Sequence, residues 1–512
     1  MIISYEFKYL NKNNFLIFFL EYYAKKSNLN YSIISNNSTI KLFVEGDEEE
    51  QVKFSDEYMA LIPNSIFLAK SSVENVDELP KSDYEYNKSS FANITPKVVK
   101  EYLNDNNIEN EYGVFSEISV LKNGEFIEVR KDTYNDLLNF TYLAMTHNQT
   151  LTLKDRNFTF EIKSDYDFAN ADFLMPTTFK AIPKVFSMDE KNLIALASLE
   201  KPILNQRLNS IFRDKHPNSP LFFNIKAASD FFLFSMLDNL YRENIFFVSV
   251  IVKNKSFKPF KVSTLDNSFL VINQGEFISQ KERSFLEKNS DSEFSLYGLI
   301  CNELDILDDR NVNIFLSKTK DDSIKIHDNS KSIDLLNFKK YSSYEDILEE
   351  IVADETGSRL YENFSKEFIF PKGKIEKSNN FYSLFDIISN ILFQKNADYL
   401  LLSAKAFFGK KGVRVDYLLK EKKQFDISRF IRSGMSYKLA GIDDKLLSYG
   451  YIESLIHFLD DLLGDIKDEI DFKNTILTGS LFEEIPISNL ALKIITKDKN
   501  PKFSNYFGLE GF

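Results

Sequence analysis

A single cysteine, Cys301, occurs among the 512 residues. An internal disulfide is therefore impossible, and no Cys-x-x-Cys pair exists for zinc or redox chemistry. The four histidines, His147, His216, His327 and His457, lie too far apart in sequence to form the HxxxH or HExxH pairs that hold metals. His216, in "RDKHPNSP", reads as a surface loop residue, and His457 as a packing or rim residue of an amphipathic run. No stretch of about 18 apolar residues occurs, so no membrane span is expected. Near the start the apolar run covers only residues 15–20, and no small-residue cleavage site follows it. The chain also lacks a broad basic field: its net charge is −13, which argues against a nucleic-acid backbone or an anionic membrane surface as the main partner. A cytoplasmic protein is expected.

What remains is a chain rich in apolar and aromatic residues. Hydrophobic residues make up 43%, enough to bury sizeable cores in two to four domains of ordinary size. Tryptophan is absent while Phe is abundant, a mix that reads as codon bias in an AT-rich genome rather than as a binding surface.

Periodicity divides the chain. Residues 1–76 read as strand, helix, strand, strand, helix, strand, a ferredoxin-like order. "ISYEFKY" alternates like a strand, and "DEEEQVKFSDEYMALIP" is predicted to be a helix with acids at its N-terminal end. The polar stretch 77–90 is a candidate linker. Residues 91–255 form a mixed α/β segment with a hairpin turned at Asn123-Gly124. Residues 256–512 read as a larger α/β lobe or a split pair of lobes, strand-rich first and helical after about residue 343. There, "YGYIESLIHFLDDLLGDIKDEI" carries its apolar residues at helical spacing and acids on much of the other face.

Three short stretches are candidates for anion chemistry. "NTILTGSLFEEIPI" (residues 474–487) has the strand, small-residue turn, helix shape that cradles phosphate, with Gly479 and Ser480 at the turn. Its bland reading is a strand end that needs a tight turn. "KAFFGKKGVRVDY" (405–417) sets Lys405, Lys410, Lys411 and Arg414 around two glycines, the most basic short segment of an acidic chain. The alternatives there are a nucleotide or other anion site and a solvated hairpin loop. "VADETGSRL" places Thr356-Gly357-Ser358 between helical runs, either a helix stop with a fresh N-cap or a phosphate turn. Asn36 and Asn37 sit in a predicted turn and read as simple turn formers.

The order of parts resembles the hydrogenase-maturation carbamoyltransferase family, HypF. That family joins an acylphosphatase-like domain, a zinc-finger segment, a YrdC-like domain and a carbamoyltransferase lobe with an actin-like ATPase core. "IKLFVEGDEEEQVKFSDEY" looks like the acylphosphatase strand entering its second helix. "EKNLIALASLEKPIL" is similar to the YrdC-like helix that meets an Arg-Pro or Lys-Pro strand. "LLSYGYIESLIHFLDDLLGD" followed by "NTILTGSLFEEIPI" is similar to the helix before the terminal Gly-Gly-Val-Phe-Gln-Asn turn, with Gly479-Ser480 in place of Gly-Gly and Glu483-Glu484 in place of Gln-Asn. The resemblance implies domains at 1–76 (acylphosphatase-like), 91–255 (YrdC-like) and 256–512 (carbamoyltransferase-like), ATP as nucleotide ligand, and a hydrogenase-maturation protein as partner.

The departures concern the chemistry. Residues 10–16, "LNKNNFL", have neither the glycines nor the arginine of an acylphosphatase loop, so Asn36, where the family's water-orienting asparagine lies, has no bound phosphate to serve. The zinc-finger cysteines and metal-binding histidines have no counterpart, so no zinc is expected, and "NPKFSNYFGLEGF" has no clear acidic metal ligand. The first expectation is a HypF-like protein that keeps the fold but not the full catalytic set and acts as a binding or accessory protein. The alternative is an active carbamoyl- or adenylyl-transferase of [NiFe]-hydrogenase maturation, using Gly479, Ser480, Lys405, Lys410, Lys411 and Arg414 instead of the metal site. An unrelated α/β scaffold is the third.

Overall fold

The computed structural model describes residues 1–11, 15–36, 38–83, 94–108, 115–155, 158–254, 258–266, 268–289, 292–328, 331–336, 339–375, 379–420 and 424–511. The middle of the expected acylphosphatase loop (12–14), Asn37 and the 84–90 part of the expected linker lie outside these residues. The chain divides into two compact units, Met1–Val262 with Asn273–Gln280, and Ser263–Ile272 with Lys281–Phe512. Segments 1–76 and 91–255 share the first unit, each with a sheet of its own.

The first sheet is built from strands Ile2–Tyr9, Asn30–Asn36, Thr39–Glu45 and Leu68–Val76, ordered second, third, first, fourth, with every neighbouring pair antiparallel. This is the order that a βαββαβ unit takes when both helices cover one face. Alternation explains the first strand: Tyr5, Phe7 and Tyr9 are buried while Lys8 is exposed. Helix Phe15–Ser27 lays Phe19, Leu20 and Tyr23 against the core. The second helix is shorter than the sequence predicts. Asp47 and Glu50 form a capping box at its start, but after Lys53 the chain widens into a single π turn, Phe54–Tyr58, and then tightens to a 3-10 turn.

A nine-stranded mixed sheet follows, running from strand Ser119–Lys122 to strand Phe247–Val252 in the chain. The predicted hairpin turn carries Asn123 at φ 55° and Gly124 at φ 88°, the left-handed pair that a two-residue hairpin requires. Helix Phe231–Arg242 buries Phe231, Phe232, Met236 and Leu240 in the core of this segment.

The second unit holds a five-stranded sheet. Its spatial order is Lys331–Asp334, Ser323–Asp328, Asn311–Phe315, Asn474–Thr478 and Pro501–Lys502. The first three strands are antiparallel neighbours, and the last three are parallel to one another. Strands Asn311–Phe315 and Asn474–Thr478 are buried at every position, as expected for parallel neighbours covered on both faces. The 26-residue helix Asp444–Glu469, about 39 Å long, buries Tyr451, Ile452, Leu455, Leu459 and Leu463 in the core of this unit.

Candidate functional site

The terminal turn forms where strand Asn474–Thr478 ends. Gly479 has a φ of 102°, and a Cβ built on it would lie 2.0 Å from the carbonyl oxygen of Leu316 on the neighbouring strand end. Only glycine fits, for both backbone angle and space. Beside it lies the loop that follows strand Asn311–Phe315. The N–H of Lys318 donates to Ser480 Oγ at 3.0 Å, and Ser317 Oγ accepts from the N–H groups of Thr319 and Lys320. The strand pairing at 311–315 against 474–478 brings two chain reversals to one end of the sheet, which is the place where ligands bind in parallel α/β sheets.

The donors of this turn are already in use. Gly479 N–H donates to Leu509 O at 2.6 Å, Leu481 N–H to Leu316 O at 3.0 Å and Phe482 N–H to Gly479 O at 3.1 Å. Ser480 N–H donates to a carboxylate, Glu510 Oε1, at 2.8 Å, and the Ser317 hydroxyl donates to the same oxygen at 2.6 Å. Burial pushes the Glu510 carboxyl up, but the Ser317 and Ser480 hydrogen bonds outweigh it and hold the group below its ordinary value. Glu510 thus takes the Ser480 N–H, while the N–H groups of Gly479, Leu481 and Phe482 go to backbone carbonyls. Leu509, 4% exposed, anchors the segment in the core.

Two of the charged side chains nearby, Lys318 and Asp322, are also engaged. Lys318 Nζ contacts Glu484 at 2.6 Å. Burial alone would lower its pKa, yet Glu484 and Glu483 hold it above the ordinary value. Asp322 accepts from Ser317 N–H at 2.7 Å and Phe381 N–H at 2.6 Å, and desolvation keeps its carboxyl well above the usual range. Among the described residues no group of three or more His, Cys, Asp or Glu is placed to hold a metal ion.

The basic segment lies elsewhere in the same unit. It has no regular structure between helix Ala397–Lys405 and strand Leu419–Lys420, so it is not a hairpin loop. Lys405 ends the helix half-buried, and Lys410 is exposed. Lys411 and Arg414, also exposed, line an open cavity of about 290 Å³ together with Tyr417 and, from helix Asp444–Glu469, the half-buried Glu453 and the exposed His457 and Asp461. The loop is pressed onto the helix at two glycines: a Cβ on Gly412 would lie 2.6 Å from Gly450 Cα, and one on Gly450 would lie 2.5 Å from Val413 O. Three hydrogen bonds fasten it, Gly412 N–H to Glu453 Oε2 at 2.7 Å, Val415 N–H to Ser454 Oγ at 2.9 Å and Tyr417 O–H to Asp461 Oδ2 at 2.6 Å.

The seven residues singled out from the sequence therefore do not form one site. Gly479 and Ser480 share the turn, Lys411 and Arg414 share the cavity, and no turn residue lines that cavity. Asn36 is exposed at the end of its strand in the first unit, paired with Thr39. Thr356-Gly357-Ser358 falls inside the first turn of helix Glu355–Phe364. The N-cap is Asp354, whose side chain accepts from Gly357 N–H at 2.7 Å. Sequence reasoning missed Glu510, although it is the one acid of the closing stretch 500–512. It also missed Glu453 and Asp461, whose four-residue spacing from His457 marks one helical face.

No family model matches the chain. Protein HydE of Wolinella succinogenes is 36% identical over 160 residues, a segment that covers 28% of this chain and 29% of that relative. The matched part thus spans less than a third of the relative's own length. Two solved structures are similar over nearly the whole chain. Full-length HypF in the phosphate- and nucleotide-bound form has a TM-score of 0.60 at 10% identity, covering 99% of this chain and 96% of that one. HypF of T. kodakarensis has a TM-score of 0.63 at 10% identity, covering 98% and 95%. The chain has a mixed α/β multidomain fold like that of full-length HypF.

Proposed function

We propose that this chain is a HypF-like protein of hydrogenase maturation that acts as a binding or accessory protein rather than as a carbamoyltransferase. The fold of HypF and the partial relationship to a protein named HydE support the pathway. The observation that carries the accessory role is the Glu510 carboxylate on Ser480 N–H and Ser317 O–H. A bound phosphate needs those same donors and is repelled by the charge that holds them. No phosphate enters the turn unless Glu510 leaves it, and displacing a half-buried carboxylate that holds two hydrogen bonds costs those bonds.

The experiment is a calorimetric titration of the purified chain with ATP, with and without magnesium, on the wild type and on Glu510→Ala. No saturable heat is expected from the wild type at millimolar ATP, and carbamoyl phosphate should not be turned over. Removing the chain from its host is expected to lower [NiFe]-hydrogenase activity, and reintroducing it should restore that activity. Micromolar ATP binding by the wild type, or carbamoyl-phosphate turnover, overturns the accessory reading in favour of an active transferase. Unchanged hydrogenase activity in the host overturns the pathway.

A further inference from the structure

The cavity between the basic loop and helix Asp444–Glu469 has an ordered distribution of charge. The loop supplies Lys411 and Arg414, and the helix supplies Glu453 and Asp461, with His457 between them at four-residue spacing. Successive residues at that spacing lie one above another on a helix face. The cavity thus has a basic wall and an acidic wall.

Opposite charges that line one cavity are free to pair where their side chains reach. Here, among the described ion pairs, neither Lys411 nor Arg414 reaches either carboxylate, although many other lysines of the chain do find acidic partners. Glu453 gives one oxygen to the loop N–H of Gly412, and Asp461 gives one to the Tyr417 hydroxyl. Among the described residues the other oxygen of each carboxylate has no hydrogen-bond partner. The glycine contact between Gly412 and Gly450 fixes the backbone of the loop against the helix.

A ligand must answer both walls. A simple anion gains Lys411 and Arg414 but meets Glu453 and Asp461, and a simple cation meets the reverse. At about 290 Å³ the space is at the small end of ligand cavities, suited to a metabolite rather than to a nucleotide or a peptide. We propose that this cavity binds a small zwitterion, with a carboxylate or phosphate end on Lys411 and Arg414 and an ammonium end on Glu453 and Asp461. The guanidinium supplies a planar fork for the anionic end. The carboxylates accept from an ammonium, which has donors only.

Calorimetry on the full chain tests the assignment, with glycine and phosphoethanolamine as zwitterionic probes and acetate, inorganic phosphate and ethylamine as single-charge probes. Saturable binding is expected for at least one zwitterion, about tenfold or more tighter than for either of its single-charge fragments, and the preferred anionic end distinguishes carboxylate from phosphate. Arg414→Gln and Glu453→Gln are each expected to weaken it about tenfold. Both positions lie at least partly in solvent, and Gln at 453 can still accept from Gly412 N–H, so the melting temperature should stay near that of the wild type. Asp461→Asn serves as a third variant with the Tyr417 contact preserved. Tighter binding of inorganic phosphate by Glu453→Gln than by the wild type, with no zwitterion bound, overturns the proposal in favour of a plain anion site. Absence of heat from every probe at millimolar concentration overturns it in favour of a solvent-filled cavity.

Discussion

Gly479 and Glu510 hold the terminal turn together from opposite sides. Gly479 is required by its positive φ and by the Leu316 carbonyl beside it, so its role is structural whatever the turn binds. Gly479→Ala is expected to cost about 2 kcal/mol or more, seen as a lower urea midpoint. An unchanged midpoint would show that the turn geometry is not as described. Substitution at this position therefore cannot separate loss of a ligand from loss of the fold, and Glu510 is the cleaner probe. Glu510→Ala leaves Ser480 N–H and Ser317 O–H without their acceptor, and about 1–3 kcal/mol of destabilisation is expected from that alone. The pH dependence has a definite sign. The folded-state pKa of Glu510 lies below its ordinary value of 4.5, so its contribution is present above that pH and is lost as pH falls through the lower folded value. Stability measured between neutral pH and pH ~3 should fall less steeply for Glu510→Gln than for the wild type.

The long helix and the loop that crosses it act as one element. Gly450 is in mid-helix, where alanine would raise helix propensity by about 1 kcal/mol. A Cβ there would lie 2.5 Å from Val413 O, a backbone atom that cannot rotate away. Packing outweighs propensity, and Gly450→Ala is expected to be net destabilising by about 1–3 kcal/mol. Chemical denaturation would detect this, and a stabilised variant would mean that the loop does not press on the helix. A second junction is built the same way. Asp354 caps helix Glu355–Phe364 and also holds Arg432 through two contacts of 2.7 and 3.1 Å, tying two helices at the start of one. The Thr-Gly-Ser run looked like the punctuation between helices, but the residue that carries it is the aspartate just before.

On the scale of the whole molecule, the chain has a HypF-like fold at 10% identity to the solved HypF structures. Burial patterns survive that degree of change because any apolar residue of suitable size serves a core.

The sequence by itself determined most of the elements. Period-two alternation marks Ile2–Tyr9 as a strand, helical spacing marks Asp444–Glu469, and Asn123-Gly124 sets a hairpin, because these depend on neighbours within a few residues. It also brought Gly479 and Ser480 forward as a turn, and Lys411 and Arg414 as part of a basic cluster. The second helix was predicted too long because the π turn after Lys53 has no local signature. What fills the turn, and which cations share a cavity, depended on contacts across the chain. Ser480 meets a carboxylate 30 residues on and the loop at Ser317, and Gly412 meets Glu453 41 residues on. Such pairs leave no periodic trace, since the spacing between them is set by the intervening fold and not by the geometry of one helix or strand. Only the tertiary structure decided that the turn carries its own anion and that the acidic face of the long helix forms one wall of a cavity.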